Sequence, residues 1–183
     1  MKILILLITL GSVVGEGAFL PVCQRTEGVK KNLETQTKKV CADILETDLH
    51  LIKRVAVQGA GITVFKRDDF TGLKNLEILN IRSNPYTELT EGLFDDLANL
   101  KVLVIIGGSL RHFPDDFLAR NPLIEKLHLF RIPVRSISES VLTRLENLKY
   151  VNELDFDEEL QDPEKLRLRR IFPENGNVQL NFN

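Results

Sequence analysis

The chain has 183 residues, 24 Lys and Arg against 26 Asp and Glu, a formal net charge of −2, and 43% hydrophobic residues. That near balance excludes a nucleic-acid or membrane-surface binder held by bulk positive charge. The length fits one domain that buries roughly 70% of its unfolded surface.

Met1 and Lys2 precede an apolar run from Ile3 to Leu10, and small residues follow from Gly11 to Ala18. This reads as a secretory signal peptide over residues 1–17, with cleavage after Gly15 or Gly17. The run is short of the roughly 20 residues that span a bilayer, and no later stretch reaches that length. The last eight residues, Gly176 to Asn183, lack the hydrophobic tail of a lipid-anchor signal. The expected location is therefore extracellular, as a secreted protein without a membrane span.

Residues 18–51 hold both cysteines, Cys23 and Cys41, with the basic pairs Lys30-Lys31 and Lys38-Lys39. In an oxidising compartment such a pair is most simply one disulfide, worth about 3 kcal/mol on the chain-entropy model. A metal pair or a reactive thiol is the less attractive alternative, because the spacing is not C-x-x-C and no further ligands lie nearby. No metal and no cofactor are expected.

From Ile52 onward the chain repeats. Apolar residues recur every 24 positions as Ile52, Leu76, Leu100, Ile124 and Leu148, and again as Val55, Leu79, Leu103, Leu127 and Val151. Val57, Ile81, Ile105 and Leu129 form a third column, and Ile62, Tyr86, Leu110 and Val134 a fourth. Phe65, Leu89, Phe113 and Ile137 follow, then Phe70, Phe94, Leu118 and Leu142, then Leu73, Leu97 and Leu145, with Asn121 interrupting the last column. Four units result, 52–75, 76–99, 100–123 and 124–147, with a fifth strand begun at Val151 and weakened by Glu153. Residues 157–183 follow, including a short helix expected over Leu160 to Phe172 with Asp162 and Pro163 at its start. With no cysteines there, that tail is expected to shield the core by apolar packing alone.

On these columns, residues 52–156 resemble the typical extracellular subclass of leucine-rich repeats, as in Toll-like receptor ectodomains, Slit-like proteins and small proteoglycans. The resemblance implies an α/β solenoid of four to five repeats with a curved parallel sheet, an N-terminal cap at 18–51 and a C-terminal cap at 157–183. The chain departs from that pattern after the strand: the usual Asn is present only as Asn84, with Ala60, Gly108 and Ile132 in its place.

Alternation along a strand sends successive side chains to opposite faces. The concave face is then expected to show Ile78 and Arg82, the stripe Val102, Val104 and Ile106, and Lys126, His128 and Phe130. The third unit is unusual because its outward positions are apolar, and an apolar area ringed by charge marks an interaction surface. Ligand contact, self-association as a homodimer, and a merely strand-favouring stripe are the three readings. Ligand contact leads.

Catalytic signals are weak. His50, His112 and His128 are scattered, no H-E-x-x-H, Walker A or G-x-S-x-G motif occurs, and Gly107-Gly108-Ser109 falls at a strand-to-turn position where glycine serves backbone turning. The pairs Asp68-Asp69, Asp95-Asp96 and Asp115-Asp116, and the run Asp155, Asp157, Glu158 and Glu159, lack a calcium-loop pattern and are expected to be solvated loops or turn caps. No Asn-x-Ser/Thr sequon occurs. The expected function is non-catalytic recognition of an extracellular protein through the concave face, in an innate-immune, matrix or glandular setting. The second reading is an accessory subunit of a secreted complex.

Overall fold

In the computed structural model, residues 20–132, 134–146, 148–152, 154–156, 162–172 and 180–182 are described. The expected leader at 1–17 lies outside them, as do Glu153, Asp157, Glu158 and Glu159.

The 24-residue period becomes a parallel solenoid. Strands β1 (Arg54–Ala56), β2 (Ile78–Asn80), β3 (Val102–Ile106), β4 (Lys126–Phe130) and β5 (Tyr150–Asn152) form one sheet in chain order, all pairs parallel. The register is one repeat per strand: Arg54 pairs with Ile78, Ile78 with Val102, Val102 with Lys126, and Lys126 with Tyr150. Equal offsets stack each column coil upon coil. Val55, Leu79, Leu103, Leu127 and Val151 are all sealed in the core, and the return segments add Phe65, Phe70, Phe94, Phe113 and Phe117. The Phe113 and Phe117 rings meet at 4.5 Å.

The turn after each strand requires a left-handed residue. Gly59, Ser83, Gly107 and Arg131 occupy equivalent positions, with φ of 60°, 58°, 74° and 55°. Glycine takes this conformation without the Cβ clash that other residues meet there. The next position, Gly108, is glycine for a second reason: a Cβ there would lie 3.0 Å from Tyr86 Cε2 and 3.2 Å from the Asn84 carbonyl oxygen.

Asn84, the one residue that keeps the expected asparagine column, is buried and bonds across two coils. Its Nδ2 donates to the carbonyl oxygens of Val57 (2.7 Å) and Ile81 (3.2 Å), and its Oδ1 accepts from the backbone N–H groups of Ala60 (2.9 Å) and Ile62 (3.3 Å). Asn121, which breaks an apolar column, has the same kind of role on the opposite side. It is buried, and its amide donates to the carbonyl oxygens of Phe94 (2.9 Å) and Leu97 (3.0 Å) in the preceding coil. Asn75 and Asn99, one repeat apart, donate in turn to the carbonyl oxygens of His50 and Lys74.

The aspartates serve turn N–H groups, one of the two roles read from sequence, and they are not uniformly solvated. Asp69 is fully buried: its carboxylate accepts from the Thr26 N–H (2.7 Å), the Thr26 hydroxyl (2.6 Å) and the Lys66 N–H (2.8 Å). Asp96 and Asp116 each accept a backbone N–H from the preceding coil, from Gly72 and Gly92. A carboxylate placed beneath turn N–H groups satisfies donors that would otherwise be lost inside the stack.

A further column stacks by charge. Lys53, Glu77, Lys101, Glu125 and Lys149 alternate in sign at 24-residue spacing; Glu77 contacts Lys53 at 3.3 Å and Lys101 at 3.0 Å, and Glu125 contacts Lys149 at 2.8 Å. These lysines hold the Glu77 and Glu125 carboxyls below the usual carboxylate range, through hydrogen bonds first and charge second. Sequence reading missed this column, although the alternation of sign is visible in the chain.

The N-terminal segment packs onto the first coil. Helix α1 (Glu27–Thr37) buries Val29 and Leu33, and Gly28 sits so close to the coil that a Cβ would lie 2.6 Å from the Ala60 Cβ. Lys38, left-handed, ends the helix. The Cys23–Cys41 disulfide joins two short turns on either side of it, and a single turn of helix α2 (Glu46–Leu49) leads into β1. Arg25 is buried, with its guanidinium donating to the carbonyl oxygens of Asp69 (2.9 Å), Thr71 (2.7 Å) and Leu20 (3.2 Å). Burial lowers its pKa to about 10, and Asp69 opposes that fall, so it stays charged at neutral pH.

At the other end, helix α3 (Glu139–Leu145) belongs to the fourth coil. The fifth strand is split as the sequence implied, into β5 and β6 (Leu154–Phe156). Helix α4 (Asp162–Ile171) buries Leu168, and Phe172 follows it into the core. Strand β7 (Leu180–Phe182) then pairs in parallel with β6. The expectation of apolar packing alone is thus corrected: backbone pairing also ties the tail to the last coil.

Two tests of stability follow from this packing. The Tyr86 hydroxyl is buried with no hydrogen-bond partner among the described residues, and burial alone pushes its pKa far up. Tyr86→Phe should leave the stability in urea unchanged or raise it, by up to about 1 kcal/mol, whereas Asn84→Ala should lower it by about 2–4 kcal/mol because the backbone groups that its amide bonds lose their partner. A loss from Tyr86→Phe matching that of Asn84→Ala would show that the hydroxyl is bonded.

Because the Glu77 and Glu125 carboxyls are held low in the folded state, their contribution is complete above the pKa of the unfolded carboxylates. It is lost as pH falls through the lower, folded values. The urea midpoint at low salt should therefore drop less on acidification in a Glu77→Gln/Glu125→Gln variant than in the wild type. Equal acid dependence would show that the column carries no stability.

Candidate functional site

The outer face of the sheet is built by strict alternation. Along β3 the core takes Leu103 and Ile105 and leaves Val102, Val104 and Ile106 half-exposed; along β4 it takes Leu127 and Leu129 and leaves Lys126, His128 and Phe130 outward. β2 contributes Ile78 and Asn80 in the same sense, with Arg82 continuing its line. All eight residues singled out from the sequence thus lie on one surface. Tyr150, next to Lys126 in β5, flanks them.

Parallel pairing sets the neighbours. Ile78, Val102, Lys126 and Tyr150 form one row across the strands, Asn80, Val104 and His128 the next, and Ile106 stands beside Phe130. Each apolar outward residue is partly screened by its neighbours, so the stripe is continuous. The His128 ring lies 5.6 Å from that of Tyr150, and the Arg131 guanidinium stands 5.1 Å from the centre of the Phe130 ring. Such a cation over an aromatic face is attractive by about 0.5–1 kcal/mol at exposed sites. Burial, and then the Lys126 charge, push the His128 pKa below its ordinary value.

Arg82 Nη2 donates to Gln58 Oε1 at 2.7 Å, a pairing between adjacent coils. His112 Nδ1 and the Ser136 hydroxyl are 2.5 Å apart in the turns of the third and fourth coils, away from the sheet face. Among the described residues no group of three or more His, Cys, Asp or Glu is placed to hold a metal ion.

One concavity lies off the sheet. A groove of about 330 Å³ between the third and fourth coils is lined by Leu118, Ala119, Asn121, Pro122, Ile124, Arg144 and Leu148. Its polar groups are already engaged: the Asn121 amide holds the second coil, and Arg144 donates to the carbonyl oxygens of Asp115 and Phe117. Among the described residues no helix is long and apolar enough to cross a membrane.

No family model matches the chain, and no curated protein matches it. Among solved structures, the chain is similar to internalin C2 from Listeria monocytogenes, at 16% identity and a TM-score of 0.33, over 89% of this chain and 96% of that one. It is also similar to human trophoblast glycoprotein (5T4, Wnt-activated inhibitory factor 1), at 15% identity and a TM-score of 0.33, over 67% of this chain and 66% of that one. Likeness at that level says nothing of function, and the repeat architecture stands on the pairing register and continuous apolar columns described above.

Proposed function

We propose that the protein is a secreted, non-catalytic recognition module that binds an extracellular protein through the outer, concave face of its sheet. Residues 1–17 act as the leader, 18–51 and 157–183 as caps, and 52–156 as the recognition array. Ile78, Arg82, Val102, Val104, Ile106, Lys126, His128 and Phe130 make the contacts.

The observation that carries this reading is the apolar stripe on β3. A strand with one face toward water alternates apolar-in and polar-out, yet Val102, Val104 and Ile106 are outward and half-buried, with Ile78 and Phe130 beside them. Contiguous apolar area of this kind marks a contact surface. The scaffold suits recognition for an energetic reason as well. Strands locked by backbone pairing on both sides lose little conformational freedom on binding, so less of the contact energy is offset.

The test compares two baits, wild type and Val104→Asp/Ile106→Asp, exposed to the native extracellular fluid, with circular dichroism confirming that both fold. The wild type should retain proteins that the variant releases, with affinity for them falling at least about tenfold, and both should have the mass of one chain in light scattering. Identical captures would remove the sheet face as the binding surface. A wild-type mass of two chains that halves in the variant would replace a foreign partner with self-association.

A further inference from the structure

Charge is distributed over this protein in an uneven way. Along the border of the sheet, Lys53, Glu77, Lys101, Glu125 and Lys149 neutralise one another coil by coil. On the sheet face itself no outward position of β1 to β5 carries a carboxylate, nor does Gln58 or Arg82, although Asp and Glu outnumber Lys and Arg in the chain by 26 to 24. The face does carry cations. Arg54, Arg82 and Lys126 stand there, none in an ion pair among the described residues, and the Arg82 guanidinium donates to the neutral Gln58.

The placement of these cations is as informative as their sign. Arg54, Ile78, Val102 and Lys126 are successive members of one row, so two cations bracket two apolar residues. With strands about 4.8 Å apart, Arg54 and Lys126 are separated by roughly 14 Å. That distance matches about four residues of extended chain.

We infer that this face takes an acidic protein segment, one that seats an apolar or aromatic residue on Val102 and Val104 while carboxylates on either side meet Arg54, Arg82 and Lys126. The inference rests on the sheet face being the recognition surface, and it names the chemistry of what binds there. A partner with basic residues would meet like charge at Arg54, Arg82 and Lys126. A sulfated polysaccharide would satisfy the cations but leave the apolar row uncovered. Complementary charge of this kind speeds encounter and excludes wrong partners, and it weakens with salt.

The full chain can be tested with four labelled probes: a random glutamate–tyrosine copolymer, a lysine–tyrosine copolymer, polyglutamate and heparin. Fluorescence anisotropy should show the glutamate–tyrosine copolymer binding at least about tenfold more tightly than polyglutamate or heparin, since the apolar contact is worth more than 1.4 kcal/mol on that scale. The lysine–tyrosine copolymer should not bind. Arg82→Glu/Lys126→Glu should abolish binding of the glutamate–tyrosine copolymer, and Val104→Ser should weaken it. Equal binding of all three polyanions, preference for the lysine copolymer, or no binding by either tyrosine copolymer would overturn the inference. If the lysine copolymer binds and Val104→Ser weakens it, the sheet face remains the recognition surface and only its charge preference is wrong. Copolymer binding that neither variant changes would remove the surface itself.

Discussion

Parallel pairing at a constant offset of 24 residues obliges each side chain to stack on its equivalent in the next coil. Leu79 must lie between Val55 and Leu103, and Val102 between Ile78 and Lys126. The bonds that enforce this continue past the strands, from the Val57 N–H to the Asn80 carbonyl, from Ile81 to Val104, and from Gly107 to Phe130. A one-residue slip would turn every buried column outward. The register therefore decides at once where the core lies and which residues the sheet presents.

Stacking like on like creates a difficulty for any group that is not apolar, because it is repeated every 4.8 Å or so along the solenoid. The chain resolves it in two ways. Charges alternate in sign along the border, so that each lysine meets a glutamate. Buried amides and carboxylates are single and engaged: Asn84 and Asn121 each reach backbone groups of the preceding coil, and Asp69 takes three donors while Arg25 passes beneath its carbonyl. On the sheet face neither solution is used. Apolar residues stack across β2 to β4, bracketed by Arg54 and Lys126, which form no ion pair among the described residues, and this departure from the border column singles the face out.

The columns from Ile52 to Leu148 make the solenoid, its strands and the direction of each strand residue legible in the amino-acid sequence, because side-chain alternation and a fixed period are properties of the chain itself. The pairing of Cys23 with Cys41 is legible for a similar reason. What the sequence hides is the role of polar residues whose partners come from another coil. Nothing local distinguishes Asp69, which is buried, from Asp68 beside it, and Asn121 reads as a flaw in its column because the carbonyl oxygens of Phe94 and Leu97 that need its amide lie one coil away. The left-handed turn at Ser83 and Arg131 is hidden because only Gly59 and Gly107 advertise it. The charge column is legible in principle, as opposite signs one period apart, but it lies outside the apolar pattern that a search for repeats follows.

Recognition through the sheet face is most directly tested by hydroxyl-radical footprinting of the protein alone and in complex with the partner it retains. The account predicts that oxidation of Ile78, Val102, Val104, Phe130 and Tyr150 falls on binding, while Val64, Leu123 and Leu166, exposed on loops and on α4, react as before. Protection of Val64, Leu123 or Leu166 with no change on the sheet would contradict it.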